Sequence, residues 1–552
     1  MALSRILVHT IACFAAIGGF LFGYDIGVIS GVLTMEYFKA RFPSSPAVTG
    51  AIVSSLMAGC SVGALFSAFI ADRIGRRVSI AFCSMLFIIG SALQGNAESF
   101  SQLYAGRVVA GLAVGALSMI VPLYQSEIAP KDLRGRLISL QQLAITVGIA
   151  VSFWINYFTQ KLNDDRQWQI PLLIQCVPAA ILTVGTMFLP YSPRWLVDQN
   201  RDIDALRVLN ILRDTKEEAR LEYEEIKQNV QFEQTFASKG YFELFSKGPE
   251  NIRKRLLVGI AIQVFSQLTG INSIMYYAPE MFRNIGLQET SASLLATAIN
   301  GIINVVFTIP AVLFVDRWGR RATLITGAVM MCLSMSIMGL LLGVYSKLEY
   351  SPQEDRNIVI TTVTSVKLTI LISLYFFVAN FAYSWGPGCW IYPAEIYPLR
   401  IRAKANSITT ASNWITNWVI GQMVPIILNA TTWGLYAVFA LSCAVMGLVV
   451  HFFVPETKGK SLEEMDLVFG GELKNNELGL HHPKTAAATL QQVQHNLAPF
   501  YLRDVLDRMV RDGSDLEQGG DPLRAERRMR RAKLKKKPQP VQNLRSTLSD
   551  MY

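Results

Sequence analysis

Two charged residues stand inside long apolar stretches of the sequence and could do chemistry there. Asp25 is the one acidic residue in the stretch 6–33, and Arg107 is the one basic residue in the stretch 103–126. A charge at the centre of a membrane helix costs about 2.5 to 3.5 kcal/mol on insertion scales, so each helix needs something to offset it. Asp25 comes late in its stretch and Arg107 early in its own, and antiparallel helices would therefore bring them to the same depth. We predict that they form an ion pair.

The predicted pair has two interpretations. If Asp25 takes up and releases a proton, its neutral form frees Arg107, and the pair can drive a change between two arrangements of the helices. The alternative is a static ion pair that only stabilises the fold.

A second set of polar residues also lies inside apolar stretches. Buried amides are costly unless they are hydrogen-bonded, and each amide offers both donors and acceptors, which a neutral ligand with several hydroxyls requires. Tryptophan faces suit the C–H side of a pyranose ring. The alternative is hydrogen bonding between helices. The set comprises Gln142, Gln263, Gln267, Asn272, Asn304, Asn413, Trp390 and Trp414.

Composition predicts that membrane-spanning helices carry these residues. Of 552 residues, 51% are hydrophobic and 17% are charged, against about 25% charged in an ordinary soluble domain. A helix needs about 20 apolar residues to cross a bilayer. The sequence predicts twelve spans, at 6–33, 51–71, 78–97, 103–126, 137–158, 169–189, 256–279, 292–315, 322–346, 368–393, 405–428 and 433–454.

The distribution of basic residues predicts the orientation of the spans. The short loops that follow even-numbered spans carry the excess of Lys and Arg. Such an excess marks the cytoplasmic side of a membrane protein, so both termini are predicted to be cytoplasmic. The basic loop residues are Arg73, Arg76, Arg77, Lys131, Arg134, Arg136, Arg317, Arg320 and Arg321.

A densely charged stretch divides the chain into two halves. Residues 198–233 combine charges with apolar residues at helix spacing, which is typical of amphipathic helices. We predict an N-terminal six-helix bundle, cytoplasmic linker helices, a C-terminal six-helix bundle, and a cytoplasmic tail that is mostly disordered after about residue 471. Their predicted bounds are 1–190, 191–255, 256–454 and 455–552.

Charge and residue types exclude several function classes. The net charge of +10 does not indicate nucleic-acid binding, because nine basic and two acidic residues between Asp521 and Pro540 supply most of it. The segment 524–537 could contact anionic lipid, or it is merely solvated. We find no metal-ligand cluster, no nucleophile with a matching base and no phosphate-binding loop, so neither an enzyme nor a cofactor is predicted.

Internal repeats relate the two halves. Asp72-Arg-Ile-Gly-Arg-Arg77 recurs as Asp316-Arg-Trp-Gly-Arg-Arg321, each after the second span of its half, and Glu127-Ile-Ala-Pro recurs as Glu395-Ile-Tyr-Pro after the fourth. Ion pairs among these loops that form in only one state would bias an equilibrium between states. The alternative role of the charges is to set topology. The network comprises Asp72, Arg76, Glu127, Arg136, Asp316, Arg320, Glu395 and Arg402.

With Pro190-Tyr-Ser-Pro-Arg-Trp195 after span six and Pro455-Glu-Thr-Lys-Gly459 after span twelve, these motifs resemble the sugar porter family of the major facilitator superfamily, most closely its fungal hexose transporters. The resemblance covers about residues 6–470. It departs at Tyr191, where many members have Glu, and at Ser266, where many have Gln. It implies an all-α membrane protein with the major facilitator fold, twelve transmembrane helices in two six-helix halves.

The resemblance also implies a function. A similar symporter of xylose and protons has Asp and Arg at the positions of Asp25 and Arg107, and most residues of the amide and tryptophan set match sugar-contacting positions. The chain is therefore expected to be a plasma-membrane symporter of a monosaccharide and a proton. A facilitative uniporter and a non-transporting sugar receptor are the alternatives.

Two gating elements complete the expectations. Gly386 and Pro387 interrupt span ten just before Trp390, and such interruptions let a helix bend, although packing glycines are the alternative. By resemblance, Tyr276 and Tyr277 close the external side.

Overall fold

The structure is a computed structural model, and its described part is helical apart from one hairpin. It describes residues 2–130, 133–236, 244–245, 251–285, 289–351, 356–361, 363–397, 401–458 and 468–469. The expectations for the tail beyond residue 470, including its basic segment, lie outside the described residues.

The N-terminal half contains six membrane-length segments. The first and the sixth are each broken into two helices, at Ala16 and at Gln175, and a short 3₁₀ turn follows the sixth. The helices are α1 (Ala2–Ala15), α2 (Ile17–Val32), α3 (Glu36–Arg41), α4 (Pro46–Ile74), α5 (Arg76–Gly95), α6 (Phe100–Ile128), α7 (Arg134–Thr159), α8 (Arg166–Ile174) and α9 (Cys176–Gly185).

Three helices lie between the sixth and seventh segments: α10 (Pro193–Asp198), α11 (Asp202–Leu212) and α12 (Lys216–Phe236). They bury a small apolar core of their own, which includes Trp195, Leu209 and Tyr223. Arg213 fixes this group to the N-terminal half, because its guanidinium donates to the Ile128 carbonyl at 3.1 Å.

The C-terminal half repeats the pattern, again with two broken segments. The seventh segment breaks at Gly270 and the tenth at Ser384. Its helices are α13 (Ile252–Leu268), α14 (Ile271–Ile285), α15 (Thr290–Trp318), α16 (Arg320–Tyr345), α17 (Thr364–Tyr383), α18 (Trp385–Ile396), α19 (Arg402–Ala430) and α20 (Gly434–Phe453). Between α16 and α17, strands β1 (Ser346–Ser351) and β2 (Arg356–Thr361) pair antiparallel where the sequence analysis expects only a loop.

Eleven helical segments of the described residues are long and apolar enough to cross a membrane. The remaining predicted span, the eleventh at 405–428, is α19, which has 29 residues but a lower hydropathy. It carries buried polar residues such as Thr410, Asn413 and Asn417. Length and position make α19 a span, and its polar face marks it as a helix that lines something other than lipid.

The N-terminal half is packed backbone against backbone. Glycines at every fourth position of α2 face α7: Gly19, Gly23, Gly27 and Gly31. A Cβ at Gly23 would lie 1.9 Å from the Ile145 carbonyl oxygen. Only a residue without a side chain allows this approach. Helix α4 packs on α6 in the same way, since a Cβ at Gly63 would lie 2.1 Å from the backbone oxygen of Leu112.

The two repeated Gly-Arg-Arg motifs adopt the same turn. Gly75 ends α4 and begins α5 with φ of 86°, and Gly319 does the same between α15 and α16, also with φ of 86°. This backbone region strongly favours glycine. The sequence repeat is therefore also a repeat of local structure.

The halves meet along two pairs of helices, α4 with α19 and α7 with α15. We name the end of the bundle that carries α10–α12 the linker end, and the opposite end, which carries β1 and β2, the hairpin end. Gly50 near the start of α4 faces Gln422 of α19, and Gly301 of α15 faces Ala150 of α7, so these two close contacts lie toward the hairpin end.

Candidate functional site

Asp25 and Arg107 lie together inside the N-terminal half, as an ion pair predicts. Both side chains are fully buried, and Arg107 Nη1 is 3.7 Å from Asp25 Oδ1. Arg107 also donates to Gln94 Oε1 at 3.3 Å and to the Val53 carbonyl at 3.5 Å. Neither carboxylate oxygen of Asp25 has a hydrogen-bond partner among the described residues.

This geometry leaves Asp25 incompletely compensated. Removing a charge from water is expensive unless it is paired and hydrogen-bonded. Asp25 has the pairing but lacks the hydrogen bonds. Such a group must hold its counter-ion close or take up a proton, so the pair can exist in two states.

A cavity lies between the two halves at the middle of the bundle, and it brings together most of the predicted amides. Six of the eight predicted residues line it: Gln142, Gln267, Asn272, Asn304, Trp390 and Asn413. Gly386, predicted as a gating residue, and Ser266 line it as well. Phe22, Ile26 and Ile145 supply an apolar wall.

The C-terminal amides form one hydrogen-bonded chain. Asn413 Nδ2 donates to Gln263 Oε1 at 2.7 Å, and Gln267 Nε2 donates to Asn413 Oδ1 at 2.9 Å. Asn272 Nδ2 donates to Gln267 Oε1 at 2.6 Å. Each amide thus orients the next, which fixes the groups offered to a ligand. Outside this chain, Asn304 Oδ1 is buried with no described partner.

The other two predicted residues lie behind the cavity wall. Gln263 orients Asn413 and donates to the Cys389 carbonyl at 3.0 Å. Trp414 donates to Ser118 Oγ at 3.1 Å across the two halves, and its ring lies 4.8 Å from that of Phe22. Both therefore contact lining residues from behind, Gln263 through Asn413 and Trp414 through Phe22.

Phe22 is a lining residue that the sequence analysis misses. It contacts both predicted tryptophans, with Trp390 in an edge-to-face arrangement at 6.3 Å. Its position one helical turn before Asp25 is the only sequence signal that could have identified it.

Comparisons with known proteins identify the family of this chain. The family described as sugar (and other) transporters matches residues 11–469. An MFS glucose transporter of Aspergillus flavus is 38% identical over 84% of this chain and 90% of its own length. The galactose-proton symporter of Escherichia coli is 37% identical over 85% of this chain and 96% of its own.

The chain belongs to the sugar transporter family.

A solved structure of a related transporter has the same fold. The proton:xylose symporter XylE bound to 6-bromo-6-deoxy-D-glucose superposes with a TM-score of 0.71, covering 84% of this chain and 99% of XylE at 29% identity. The transporter is therefore a multi-pass membrane protein with the major facilitator fold.

The two predicted gating tyrosines of the transporter are buried at the hairpin end. Asn417 Nδ2 donates to the Tyr276 hydroxyl at 2.9 Å, and the Tyr277 hydroxyl donates to the Gly421 carbonyl at 2.8 Å. Both bonds join α14 to α19 and fix the second part of the seventh segment over the cavity. Gly386 approaches the Gln142 amide, and Pro387 is buried beside it in α18.

The predicted charge network divides into two clusters, one in each half. In the N-terminal half, Arg76 pairs with Glu127 at 3.0 Å and with Asp72 at 3.2 Å. In the C-terminal half, Arg320 pairs with Glu395 at 2.7 Å. These pairs tie the ends of neighbouring helices within one half.

The other three predicted network residues are Arg402, Arg136 and Asp316. Arg402 donates to the Tyr397 carbonyl at 3.1 Å. Arg136 is exposed, and it forms no ion pair with a described acidic residue. The side chain of Asp316 lies outside the described part of the chain.

The two family motifs cover the two Gly-Arg-Arg turns. Trp195 packs on Gly75 and donates to the Asp72 carbonyl at 3.0 Å. Glu456 accepts from the backbone N–H of Arg320 at 2.9 Å and of Arg321 at 3.0 Å. Partial burial raises the pKa of Glu456, but hydrogen bonds from four backbone amides outweigh it and hold the pKa below its usual range.

Tyr191 takes part in the N-terminal cluster through its ring. It stacks on Trp195 at 5.6 Å, and the Arg77 guanidinium lies 4.8 Å from its centroid. Many family members have Glu at this position, whose carboxylate would form an ion pair; in this chain, Tyr191 forms a cation–π contact with Arg77 in its place.

Proposed function

We propose that this transporter carries a monosaccharide together with a proton by alternating access. The observation that carries the proposal is the proximity of two sites. A cavity of convergent neutral amides lies between the halves, and Asp25 of the fully buried Asp25–Arg107 pair lies on α2, which supplies Phe22 and Ile26 to the cavity wall. The relatives include a galactose-proton symporter and a proton:xylose symporter.

The chemistry of the cavity favours a neutral ligand with several hydroxyls. Amides donate and accept at once, so one chain of them can satisfy hydroxyls that do both. Trp390 and Phe22 offer flat apolar faces for the C–H surface of a sugar ring. We assign sugar binding to the amides and Trp390, with Gln263 and Trp414 as positioning residues.

The proton belongs to Asp25. With Asp25 charged, Arg107 is held close to it. Protonation removes the counter-ion and leaves Arg107 with Gln94 and Val53 as acceptors. The two states of the pair thus differ in what α6 contacts, and a differential contact is what an equilibrium between two conformations needs.

We further propose that the halves 1–190 and 256–454 rock about the cavity in the plasma membrane. The linker end is cytoplasmic, with both termini there, because the short loops at that end carry the excess of basic residues. In this orientation, we assign to Tyr276 and Tyr277 the role of closing the external end, which their hydrogen bonds to α19 support.

Uptake into proteoliposomes tests this function. Purified protein is assayed with labelled glucose, galactose, xylose and a polyol, with and without an inward pH gradient. We expect at least one sugar to accumulate above equilibrium only with the gradient. Uptake that reaches but never exceeds equilibrium identifies a uniporter, and sugar binding without uptake identifies a receptor.

A further inference from the structure

Gln422 of α19 bridges the two halves at the hairpin end. Its Oε1 accepts from Ser54 Oγ at 2.9 Å, and its Nε2 donates to the Ala47 carbonyl at 3.1 Å. Both partners belong to α4. Gly50, between them, allows the approach, since a Cβ there would lie 2.9 Å from the Gln422 carbonyl oxygen. One amide therefore uses both ends to hold the N-terminal half.

The same turn of α19 holds the gating tyrosines. Gly421, next to Gln422, accepts from the Tyr277 hydroxyl, and Asn417 donates to the Tyr276 hydroxyl. Residues 417–422 thus join α14 on one side and α4 on the other. A movement that separates α4 from this turn also removes support from the tyrosines.

On the N-terminal side, the contact leads to the ion pair. Ser54 follows Val53, whose carbonyl accepts from Arg107 Nη2. Val53 also packs against α19, because its Cγ1 would lie 3.7 Å from a Cβ at Gly421. One residue of α4 is therefore in contact with Arg107 through its backbone and with the opposite half through its side chain.

We propose that Gln422 and Ser54 form an external clamp between the halves and that the Asp25–Arg107 pair controls it through Val53. Protonation of Asp25 leaves Arg107 with Gln94 and Val53 as acceptors, which holds α4 where Ser54 reaches Gln422. A charged Asp25 draws Arg107 away and loosens the clamp. The coupling to Asp25 rests on the proposed function, whereas the clamp itself does not.

The charged and titratable surroundings of Asp25 come from three other segments. Arg107 on α6, Cys60 on α4 and Tyr276 on α14 interact electrostatically with its carboxylate, as does its neighbour Tyr24. Tyr277 interacts with Arg107. Since the tyrosines and the thiol stay neutral at physiological pH, Asp25 and Arg107 carry the charge change.

Distance measurement tests the clamp without any sugar. Spin labels are introduced as non-canonical residues at Ser44 and Ala430, both exposed near the ends of α4 and α19. We expect Gln422→Leu and Ser54→Ala each to raise the ratio of open to closed distances about three- to tenfold, the effect of losing one or two neutral hydrogen bonds. The double variant should add little to Gln422→Leu, because that change alone already removes the bond between Gln422 and Ser54.

Ser55→Ala is the matched control. Ser55 is the next residue, and its hydroxyl bonds only to the Ile52 carbonyl of its own helix. Its distances should match the wild type. If Gln422→Leu gives the same distribution as Ser55→Ala, the clamp is disproved, whatever the protein transports.

The coupling has its own readout. Between pH 5 and 8, the open fraction of the wild type should rise with pH, and in Asp25→Asn it should stay low and constant. Sugar uptake adds a second measure, since a larger outward-open population lowers the external KM of Gln422→Leu about three- to tenfold. If the open fraction of Asp25→Asn still rises with pH, the ion pair does not control the clamp. If the wild type transports no sugar, the proposed function fails, but the distance measurements still test the clamp.

Discussion

The two halves share a sequence repeat and a helix pattern, but they are packed differently inside. In the N-terminal half, Gly23 and Gly63 place one backbone directly against another. In the C-terminal half, the close neighbours of Gly259, Gly327 and Gly388 are side-chain atoms of Tyr397, Ser384 and Leu324. Backbone contacts cannot yield without separating helices, whereas side chains can change rotamer. The N-terminal half is therefore the stiffer body.

The polar groups are divided in the same way. The buried ion pair belongs to the stiff half, where its distance can be held. Most amides of the cavity, such as Gln267, Asn272 and Asn413, belong to the half with helix breaks beside the cavity, at Gly270 and Ser384. The rigid packing of the N-terminal half thus suits the ion pair, and the helix breaks of the C-terminal half suit a cavity that a ligand must enter and leave.

The largest expected effect comes from filling a glycine contact in each half. Gly23→Ala puts a methyl group 1.9 Å from the Ile145 carbonyl, and separating α2 from α7 should cost about 3 kcal/mol or more. Gly327→Ala in the C-terminal half puts a methyl group 2.0 Å from the Ser384 hydroxyl, and because that side chain can change rotamer, the variant should cost only about 1 kcal/mol. Thermal unfolding in detergent measures both.

Equal losses of stability in the two variants would remove the distinction between a stiff and a deformable half. Gly27→Ala refines the test, because its nearest neighbour is the Ser152 hydroxyl and not backbone. Combining it with Ser152→Gly should restore most of the lost stability. No such rescue is available at Gly23.

The next effect concerns the cavity. Asn413→Ala breaks the amide chain and leaves Gln263 and Gln267 without their shared partner, which should raise the KM for sugar about 10- to 100-fold. Gln142 is the amide that the N-terminal half contributes to the cavity, and no described residue hydrogen-bonds to it. Because its truncation leaves no protein group without a partner, Gln142→Ala should raise KM only about three- to tenfold. Initial-rate uptake separates the two, and a larger effect of Gln142→Ala would contradict the division of the polar groups.

The smallest effect distinguishes the two Gly-Arg-Arg turns. Glu456→Gln should cost about 0.5 to 1 kcal/mol, because the carboxylate is partly exposed and a neutral amide oxygen accepts less strongly. Since the pKa of Glu456 lies below its usual range, its stabilisation is present above the ordinary pKa of about 4.3 and is lost as pH falls through the folded value.

Trp195→Phe is the matched change in the N-terminal turn. It removes the bond to the Asp72 carbonyl and should cost a similar amount. Its cost should not depend on pH between 3 and 7, because the indole N–H does not titrate there. Unfolding midpoints across that range test both turns, and a pH-independent cost for Glu456→Gln would show that its charge does not contribute.

Much of the fold follows from local sequence signals. The lengths of the apolar stretches and the charged residues between them locate the spans. Most of the helices extend a few residues beyond the predicted limits, as α4 does at both ends. The eleventh span is predicted like the others from its length between charged residues, although the polar residues of α19 lower its hydropathy. Strands β1 and β2 are not predicted from the sequence because each has only six residues, and their pairing joins residues as far apart as Ser346 and Thr361.

The candidate site follows from sequence only where a residue type is out of place in lipid. Asp25, Arg107 and the amides carry that signal, because burial makes each of them costly. Phe22 does not, since an aromatic residue is ordinary in a membrane helix. Gln422 and Ser54 were missed for another reason: their importance lies in a contact between residues more than 360 positions apart.

The most direct test of the account is sugar movement by Asp25→Asn in proteoliposomes, measured in two ways on the same preparation. We predict that exchange of labelled for unlabelled sugar persists, because the cavity is intact and the clamp still opens in a fraction of the molecules. Accumulation driven by an inward pH gradient should be lost. A variant that accumulates sugar as strongly and as pH-dependently as the wild type would contradict the assignment of the proton to Asp25.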